Sequence, residues 1–252
     1  MSNLSTTTPP NAAPSNANPV ASWSFSRLMV FEQCACRYKL EFIDKLPTPP
    51  KPAADRGTEI HAIAERYVKG DGPPTPELKH FEMEFRKLRQ LHAENKVTCE
   101  EQWAFDSEWK PTQWTSGWLR LKCDAVAQLT RAHLAVIDYK TGRRFGNEIK
   151  HARQLELYAL CALLRNPDAR EVTCELWYLD KDEMTTFHCH RAQVENYLRI
   201  YDRAGRRLTE CREWPPSFNC QYCPFHEKEC EHTCQKNTTL PARTAHMLGR
   251  LL

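Results

Sequence analysis

The segment LAVIDYKTG, residues 134–142, carries the strongest structural signal in the sequence. Residues two apart in a β-strand share a face, so Asp138 and Lys140 are expected to project to the same side. The opposite side is apolar or aromatic, which favours its burial, and consists of Ala135, Ile137 and Tyr139. An isolated Asp-x-Lys also occurs on ordinary solvated strands, so its meaning depends on the neighbouring segments.

The preceding segment LRLKCDAV, residues 119–126, alternates in the same way. Asp124 is expected on its polar face, and the apolar face consists of Leu121, Cys123 and Ala125. A hairpin that turns near Arg131 places Asp124 opposite Asp138, with Cβ atoms roughly 5 Å apart. Two carboxylates this close repel each other, and a bound cation relieves the repulsion. Oxygen ligands favour Mg²⁺ or Mn²⁺, so the sequence predicts either such a metal site or a plain solvated strand face.

The rest of the chain alternates between helical and strand patterns. Helical spacing predicts helices over residues 24–46, 57–69, 77–95, 151–164 and 192–211. Alternating or β-branched runs predict strands over residues 97–109, 118–129, 134–141, 172–180 and 184–190. This order predicts an α/β fold with a mixed central sheet flanked by helices. A C-terminal cysteine-ligated region is expected at residues 219–234.

The two ends of the chain differ in composition from the middle. Residues 1–22 contain no charged residue and four of the 17 prolines, which predicts a disordered tail. We expect a single domain over residues 23–234 and a polar tail over residues 235–252. No apolar run approaches the ~18 residues that a membrane span needs, and no secretory signal is evident, so a cytoplasmic location is expected. The net charge of +3 does not by itself indicate a nucleic-acid binder.

The chain contains 12 cysteines, which without a secretion signal favours metal binding over disulfides. The spacing from Cys220 through Cys223 and Cys230 to Cys234 fits a local tetrahedral Zn²⁺ site. Alternatively, Cys34 replaces Cys234 as the fourth ligand, and the site joins the two ends of the domain as a 4Fe–4S cluster would.

Several short motifs follow one another along the chain. They are SRL (26–28), CxxRY (34–38), RGTxxH (56–61), Asp124, DYKTG (138–142), QxxxY (154–158) and CxxCP (220–224) with Cys230. The ordered set resembles the RecB-like branch of the PD-(D/E)XK nuclease superfamily. The cysteine motifs resemble its iron–sulfur members, the CRISPR-associated RecB-like exonucleases and the AddB-type nuclease domains. Ala35 departs from the proline usual after the first cysteine, and Cys36 is an extra thiol, so Cys34 and Cys36 compete as ligands.

The resemblance implies a restriction-endonuclease-like core and a metal-dependent DNA nuclease. Its metal, Mg²⁺ or Mn²⁺, would be held by His61, Asp124, Asp138 and the carbonyl of Tyr139, with Glu101 in reserve. Lys140 would orient the attacking water, and Gln154 and Tyr158 would steady the site. A 4Fe–4S cluster would be held by Cys34, Cys220, Cys223 and Cys230.

The resemblance further implies an exonuclease that acts on DNA with single-stranded or free ends, in recombination, repair or phage DNA processing, together with a recombination or replication protein. Phosphate contacts are expected from Arg199, Arg203 and Arg206, although these arginines also suit a solvated helix face. Four tryptophans suit either base stacking or the core: Trp103, Trp109, Trp114 and Trp118. The rival functions are a catalytically silent DNA-binding or scaffold module and a zinc-stabilised regulatory protein.

Overall fold

A computed structural model describes residues 20–49, 52–142, 144–217, 220, 223–226 and 230. Most of the predicted tails, residues 1–22 and 235–252, and the alternative ligand Cys234 lie outside the described residues. Val20, at the start of the described chain, is buried. The division into tails and one domain stays a prediction. Within the described part of the chain, no helix is both long enough and apolar enough to cross a bilayer.

Five strands form one sheet in the order in which they occur along the chain. They are β1 (Val97–Phe105), β2 (Leu119–Thr130), β3 (His133–Lys140), β4 (Glu171–Tyr178) and β5 (Glu183–His190). Neighbouring strands are antiparallel except β3 and β4, which are parallel and are joined by a helix. A parallel pair needs such a crossover, because a tight turn reverses the chain direction. The predicted mixed sheet is confirmed.

Six α-helices flank the sheet among the described residues. They are α1 (Phe25–Gln33), α2 (Ala35–Tyr38), α3 (Pro52–Val68), α4 (Glu82–Ala93), α5 (Glu148–Arg165) and α6 (Val194–Thr209). The single helix predicted over residues 24–46 is wrong, because Cys34 is extended (φ −164°, ψ 111°) and separates α1 from α2. A π-helical turn, Lys39–Ile43, follows α2. Helix α3 begins at Pro52 rather than Gly57, since proline suits a first helical turn.

The sheet has an apolar layer on each face. One layer packs against α1, α5 and α6 and includes Leu28, Leu155 and Leu208. The other packs against α3 and α4 and includes Ile60, Phe85 and Ile137. Between the two layers, Asp124 of β2 contacts His61 of α3, and Asp138 of β3 contacts Tyr158 of α5.

Strand β2 contributes to both layers, which the regular alternation of its sequence does not predict. Leu121 and Cys123 pack in the α5 layer, whereas Ala125 packs in the α3–α4 layer. The single apolar face predicted for these residues is therefore wrong. Across the ladder in β1, Glu100 has a left-handed φ of 54°, which interrupts the alternation of that strand as well. Asp124 lies at the point where β2 changes layers.

Candidate active site

The predicted register of the β2–β3 hairpin is confirmed. Ala125 pairs with Ile137 and Val126 with Val136, so Asp124 and Asp138 fall opposite each other in the same register. The side chains of both acids are largely buried, with residue exposures of 8% and 6%. Two buried carboxylates, one from each strand, therefore lie just beyond the last paired residues of the hairpin.

The strands separate beyond the Ala125–Ile137 pair, and we call this region the strand fork. Asp124 enters it and accepts a hydrogen bond at Oδ2 from the backbone N–H of Tyr139 at 2.6 Å. The Tyr158 hydroxyl, from α5, lies 3.0 Å from the Lys122 carbonyl oxygen. Side chains thus satisfy backbone groups that a continuous ladder would have paired, and the fork is a built feature rather than a frayed end.

Asp138 is held from the α5 side. Its Oδ1 lies 3.1 Å from Gln154 Nε2 and 2.8 Å from the Tyr158 hydroxyl. Its Oδ2 lies 2.5 Å from Lys140 Nζ. That contact is an ion pair without hydrogen-bond geometry, and Oδ2 has no hydrogen-bond donor among the described residues. One oxygen is therefore fixed by α5, while the other faces cations.

Asp124 is held from the α3 side, where a third acid joins it. His61 Nδ1 lies 3.0 Å from Asp124 Oδ1. One ligand atom each from His61, Glu100 and Asp124 lie within 4.8 Å of one another. These residues line an acidic pocket of about 520 Å³, which also includes Glu65 and Lys122.

Glu100, which the sequence does not point to, lies at the site in place of Glu101, the predicted reserve acid. Glu101 instead accepts hydrogen bonds from Thr98 Oγ1, at 2.8 Å, and from the Trp103 indole. Glu100 reaches the site in a left-handed conformation (φ 54°), which non-glycine residues rarely adopt. Such strain is often found at functional sites, but nothing in the local sequence signals it.

Burial and neighbouring charges shift the pKa values of the groups at the fork. Burial raises the pKa of Asp124, and the nearby Asp138 raises it further, although the hydrogen bond with His61 acts in the opposite direction. Burial and the charge of Asp124 raise the pKa of Glu100. For His61, burial acts to lower the pKa, but the hydrogen bond and charge of Asp124 outweigh it, and the pKa is raised. A proton on His61 therefore provides the positive charge that the acids attract.

The donor set fits a hard divalent cation. Carboxylate oxygens suit Mg²⁺ and Mn²⁺, and imidazole is tolerated by Mn²⁺. Asp138 Oδ2 has no hydrogen-bond donor among the described residues and contacts Lys140 Nζ at 2.5 Å, so a bound cation would share or displace that lysine contact. The peptide of Tyr139 is tied to Asp124 by its N–H, so it also lies at the fork. Of the predicted metal-site residues, His61 and Asp124 cluster with Glu100, whereas Asp138 lies outside that cluster and is held by Gln154 and Tyr158.

A basic groove of about 510 Å³ opens on the other side of Lys122. Its lining contains no described carboxylate, while its cations are Arg27, Arg120, Lys122, Lys140 and Lys150. Burial and Lys140 lower the pKa of Lys150, as expected where cations crowd together. Lys122 lines both the groove and the acidic pocket. The acidic pocket, which suits a cation, and the basic groove, which suits a polyanion, are therefore neighbours at the fork.

The three arginines predicted to contact phosphates do not line the described part of this groove. Arg206 pairs with Asp202 at 3.0 Å, and Arg199 Nη2 donates to Asn196 Oδ1 at 2.7 Å. Arg203 is exposed on the same helix, α6. Any contact of these arginines with DNA would therefore be made at the surface of α6, away from the groove.

The four predicted cluster cysteines meet in a second cavity, of about 140 Å³, which we call the cysteine cavity. It is lined by Cys34, Cys220, Cys223 and Cys230, together with Arg37 and His226. Cys34 Sγ accepts hydrogen bonds from the backbone N–H of Arg37 at 3.4 Å and of Ser217 at 3.3 Å. Among the described residues, no three cysteine sulfurs lie within 4.8 Å of one another.

Cys36, the extra thiol, lies beside this cavity. Its Sγ is 3.9 Å from Cys230 Sγ. Burial, reinforced by Cys230, raises the pKa of Cys36 to about 11, so its thiol is protonated in the absence of a metal. Because it contacts Cys230, Cys36 stays an alternative to Cys34 as a ligand.

Buried acids and a lysine at a strand fork, with a basic groove beside them, are the arrangement of a nuclease. Residues 22–228 match the family model of the PD-(D/E)XK nuclease superfamily. The chain belongs to this superfamily, and its mixed sheet with flanking helices is the restriction-endonuclease-like core that the sequence predicted.

Two solved structures are also similar to the chain. SSO0001 is 16% identical, with a TM-score of 0.43 over 85% of this chain and 86% of the other. A protein of Eubacterium rectale named "Putative exonuclease" is 11% identical, with a TM-score of 0.46 over 98% of this chain and 100% of the other. Likeness at this level carries no information about activity. None of the curated proteins compared with the chain matches it.

Proposed function

We propose that the chain is a metal-dependent deoxyribonuclease, and specifically an exonuclease that hydrolyses phosphodiester bonds at DNA ends. The observation that carries the proposal is the strand fork, where Asp124 and Asp138 are both buried and Lys140 Nζ lies 2.5 Å from Asp138 Oδ2. A catalytically silent module is disfavoured, because it has no need to keep two buried acids and a lysine together. DNA processing in recombination, repair or phage replication would use such an activity.

The residues that would hold Mg²⁺ or Mn²⁺ are Asp124, Asp138, His61, Glu100 and the carbonyl of Tyr139. When bound, the ion supplies a Lewis acid and lowers the pKa of a water molecule. His61 must release its proton to act as a ligand, since an imidazolium has no free nitrogen lone pair. Gln154 and Tyr158 hold Asp138 Oδ1 and leave Oδ2 toward the cation site.

Lys140 serves the phosphate rather than the metal in this proposal. Its Nζ is paired with Asp138 and also lines the basic groove, so it stands between the acids and the place expected for DNA. A fixed cation there offsets the negative charge that develops on the phosphate in the transition state. The lysine therefore affects turnover more than metal affinity.

The activity is tested with end-labelled linear DNA and closed circular DNA. The purified protein should degrade the linear DNA in Mg²⁺ or Mn²⁺ and leave the circle intact. Cleavage of both forms would show that the protein is an endonuclease and would contradict the proposed exonuclease activity. Equal cleavage in excess EDTA would contradict the metal-dependent mechanism.

We also propose that Cys34, Cys220, Cys223 and Cys230 bind a 4Fe–4S cluster. Tetrahedral zinc with Zn–S bonds of about 2.3 Å brings its sulfurs to about 3.8 Å from one another. No three sulfurs of the described cysteines lie within 4.8 Å of one another, which supports a group larger than zinc, and the short contact of 3.9 Å joins Cys230 Sγ to Cys36 Sγ, outside the proposed ligand set. Backbone N–H donors on Cys34 Sγ are the kind of contact that tunes iron–sulfur clusters.

A further inference from the structure

Trp114 differs from the other three tryptophans that the sequence offers for base stacking. Trp103 donates its indole N–H to Glu101, Trp109 donates to Asp202 at 3.0 Å, and Trp118 donates to Thr209 at 3.2 Å. These three indoles are anchored within the protein. Trp114 is half-buried, lines the basic groove, and its indole has no hydrogen-bond acceptor among the described residues.

Side-chain contacts tie down the turn that carries Trp114. It is a short 3₁₀ helix, Trp114–Ser116, between β1 and β2. Arg120 Nη2 donates to the Thr115 carbonyl at 2.9 Å, and the Arg120 guanidinium lies 5.8 Å from the centre of the Trp114 ring. Thr112 Oγ1 and Ser116 Oγ lie 3.1 Å apart. The turn therefore presents the ring to the groove with Arg120 beside it.

The groove presents this ring together with cations that lead to the strand fork. Lys122, Lys140 and Lys150 line it alongside Trp114 and Arg120. Cations that follow a strand's phosphates, combined with an aromatic face for its bases, are the means by which proteins bind unpaired nucleic acid. The groove measures about 510 Å³ and is open to solvent along its length, so a strand can lie along it.

We infer that Trp114, backed by Arg120, is a stacking platform for an unpaired base, and that the basic groove guides a single DNA strand to the fork. The inference rests on the proposed nuclease function and adds its specificity-determining residue. A base in a duplex has both faces covered by its neighbours and cannot reach the ring. The platform therefore selects single-stranded DNA or frayed ends.

The test is equilibrium binding, in EDTA to prevent cleavage, of a fluorescent oligothymidylate, of a strand of equal length with abasic residues, and of a blunt duplex. Trp114→Ala should weaken oligothymidylate binding about 5- to 150-fold, the effect of losing one stacked base. Its effect on the abasic strand and on the duplex should be small. Trp114→Phe should keep most of the affinity, because a ring remains.

Two matched variants separate stacking from other causes. Phe145→Ala removes a ring that is 87% exposed and lies outside the groove lining, and should not change binding. Lys150→Ala removes a phosphate contact and should weaken binding of the normal and abasic strands equally. Unchanged affinity in Trp114→Ala, or an equal loss on the abasic strand, would overturn the inference while leaving the nuclease intact. A wild-type protein that neither binds nor cleaves DNA would instead overturn the proposed function.

Discussion

The strand fork and the cysteine cavity bring their residues together over very different distances along the chain. Asp124 and Asp138 come from two strands that are joined by a short hairpin. In the cysteine cavity, Cys34 accepts a hydrogen bond from Ser217, which lies 183 positions later. Local strand pairing therefore builds one site, whereas the folding of the whole chain builds the other. The two sites should respond differently to the loss of one ligand.

The largest effect is expected at the fork. Asp138→Ala removes a buried acid and should reduce cleavage at least about 100-fold, as expected for a group that supports developing charge. Because the change also removes like-charge repulsion with Asp124, the fold should remain stable. A cleavage assay and thermal unfolding measure the two effects. Asp182→Ala, which removes an exposed acid in the β4–β5 hairpin, is the control and should behave as the wild type.

At the cysteine cavity, the loss of one ligand should instead lower the stability of the fold. Cys34→Ser should remove the iron and lower the free energy of unfolding by about 3–5 kcal/mol, because the cluster closes a very long loop. Cys99→Ser, which changes a half-buried thiol outside the cysteine cavity, is the control and should retain iron. Iron analysis and denaturant unfolding of anaerobically purified protein measure both. Zinc without iron, or full iron in Cys34→Ser, would contradict the cluster assignment.

A smaller effect is expected on the α5 side of the fork. Gln154→Ala removes the amide that lies 3.1 Å from Asp138 Oδ1. Loss of a group that orients a metal ligand lowers activity or metal affinity about 10- to 100-fold. Cleavage rates across a Mn²⁺ titration measure the change. An effect as large as that of Asp138→Ala would mean that Gln154 acts directly on the substrate.

The smallest effect concerns pH in the metal-free protein. The pKa of His61 is raised in the folded state, so its pairing with Asp124 stabilises the protein fully below the ordinary histidine pKa of about 6.5. That contribution is lost as the pH rises through the folded pKa, and we expect about 1 kcal/mol or less. Urea unfolding of wild type and His61→Gln between about pH 5.5 and 8.5 measures it. A difference that grows with pH would contradict the pairing.

The sequence predicts the parts of the molecule that follow regular strand geometry. The hairpin register of β2 and β3 follows from a turn near Arg131, and it places Asp124 opposite Asp138. The residues that break regular geometry could not be predicted. Glu100 enters the site through a left-handed φ, and Cys34 interrupts a helical pattern by being extended. Both depend on tertiary contacts that no local spacing reveals.

The phosphate contacts show a second limit. Arginines at helical spacing on α6 are visible in the sequence, but the basic groove collects its cations from four elements, namely two from β2 and one each from α1, β3 and α5. Each of these residues looks like an ordinary surface charge in its own segment. Only the folded sheet brings them together beside Lys140.

The acids at the strand fork should bind the divalent ion that cleavage requires. Mn²⁺ binding to the wild type, Asp124→Ala and Lys140→Ala measures this. We expect the wild type to bind Mn²⁺, Asp124→Ala to lose binding, and Lys140→Ala to keep binding while losing most of its turnover. Unchanged Mn²⁺ affinity in Asp124→Ala would show that the acids do not hold the ion.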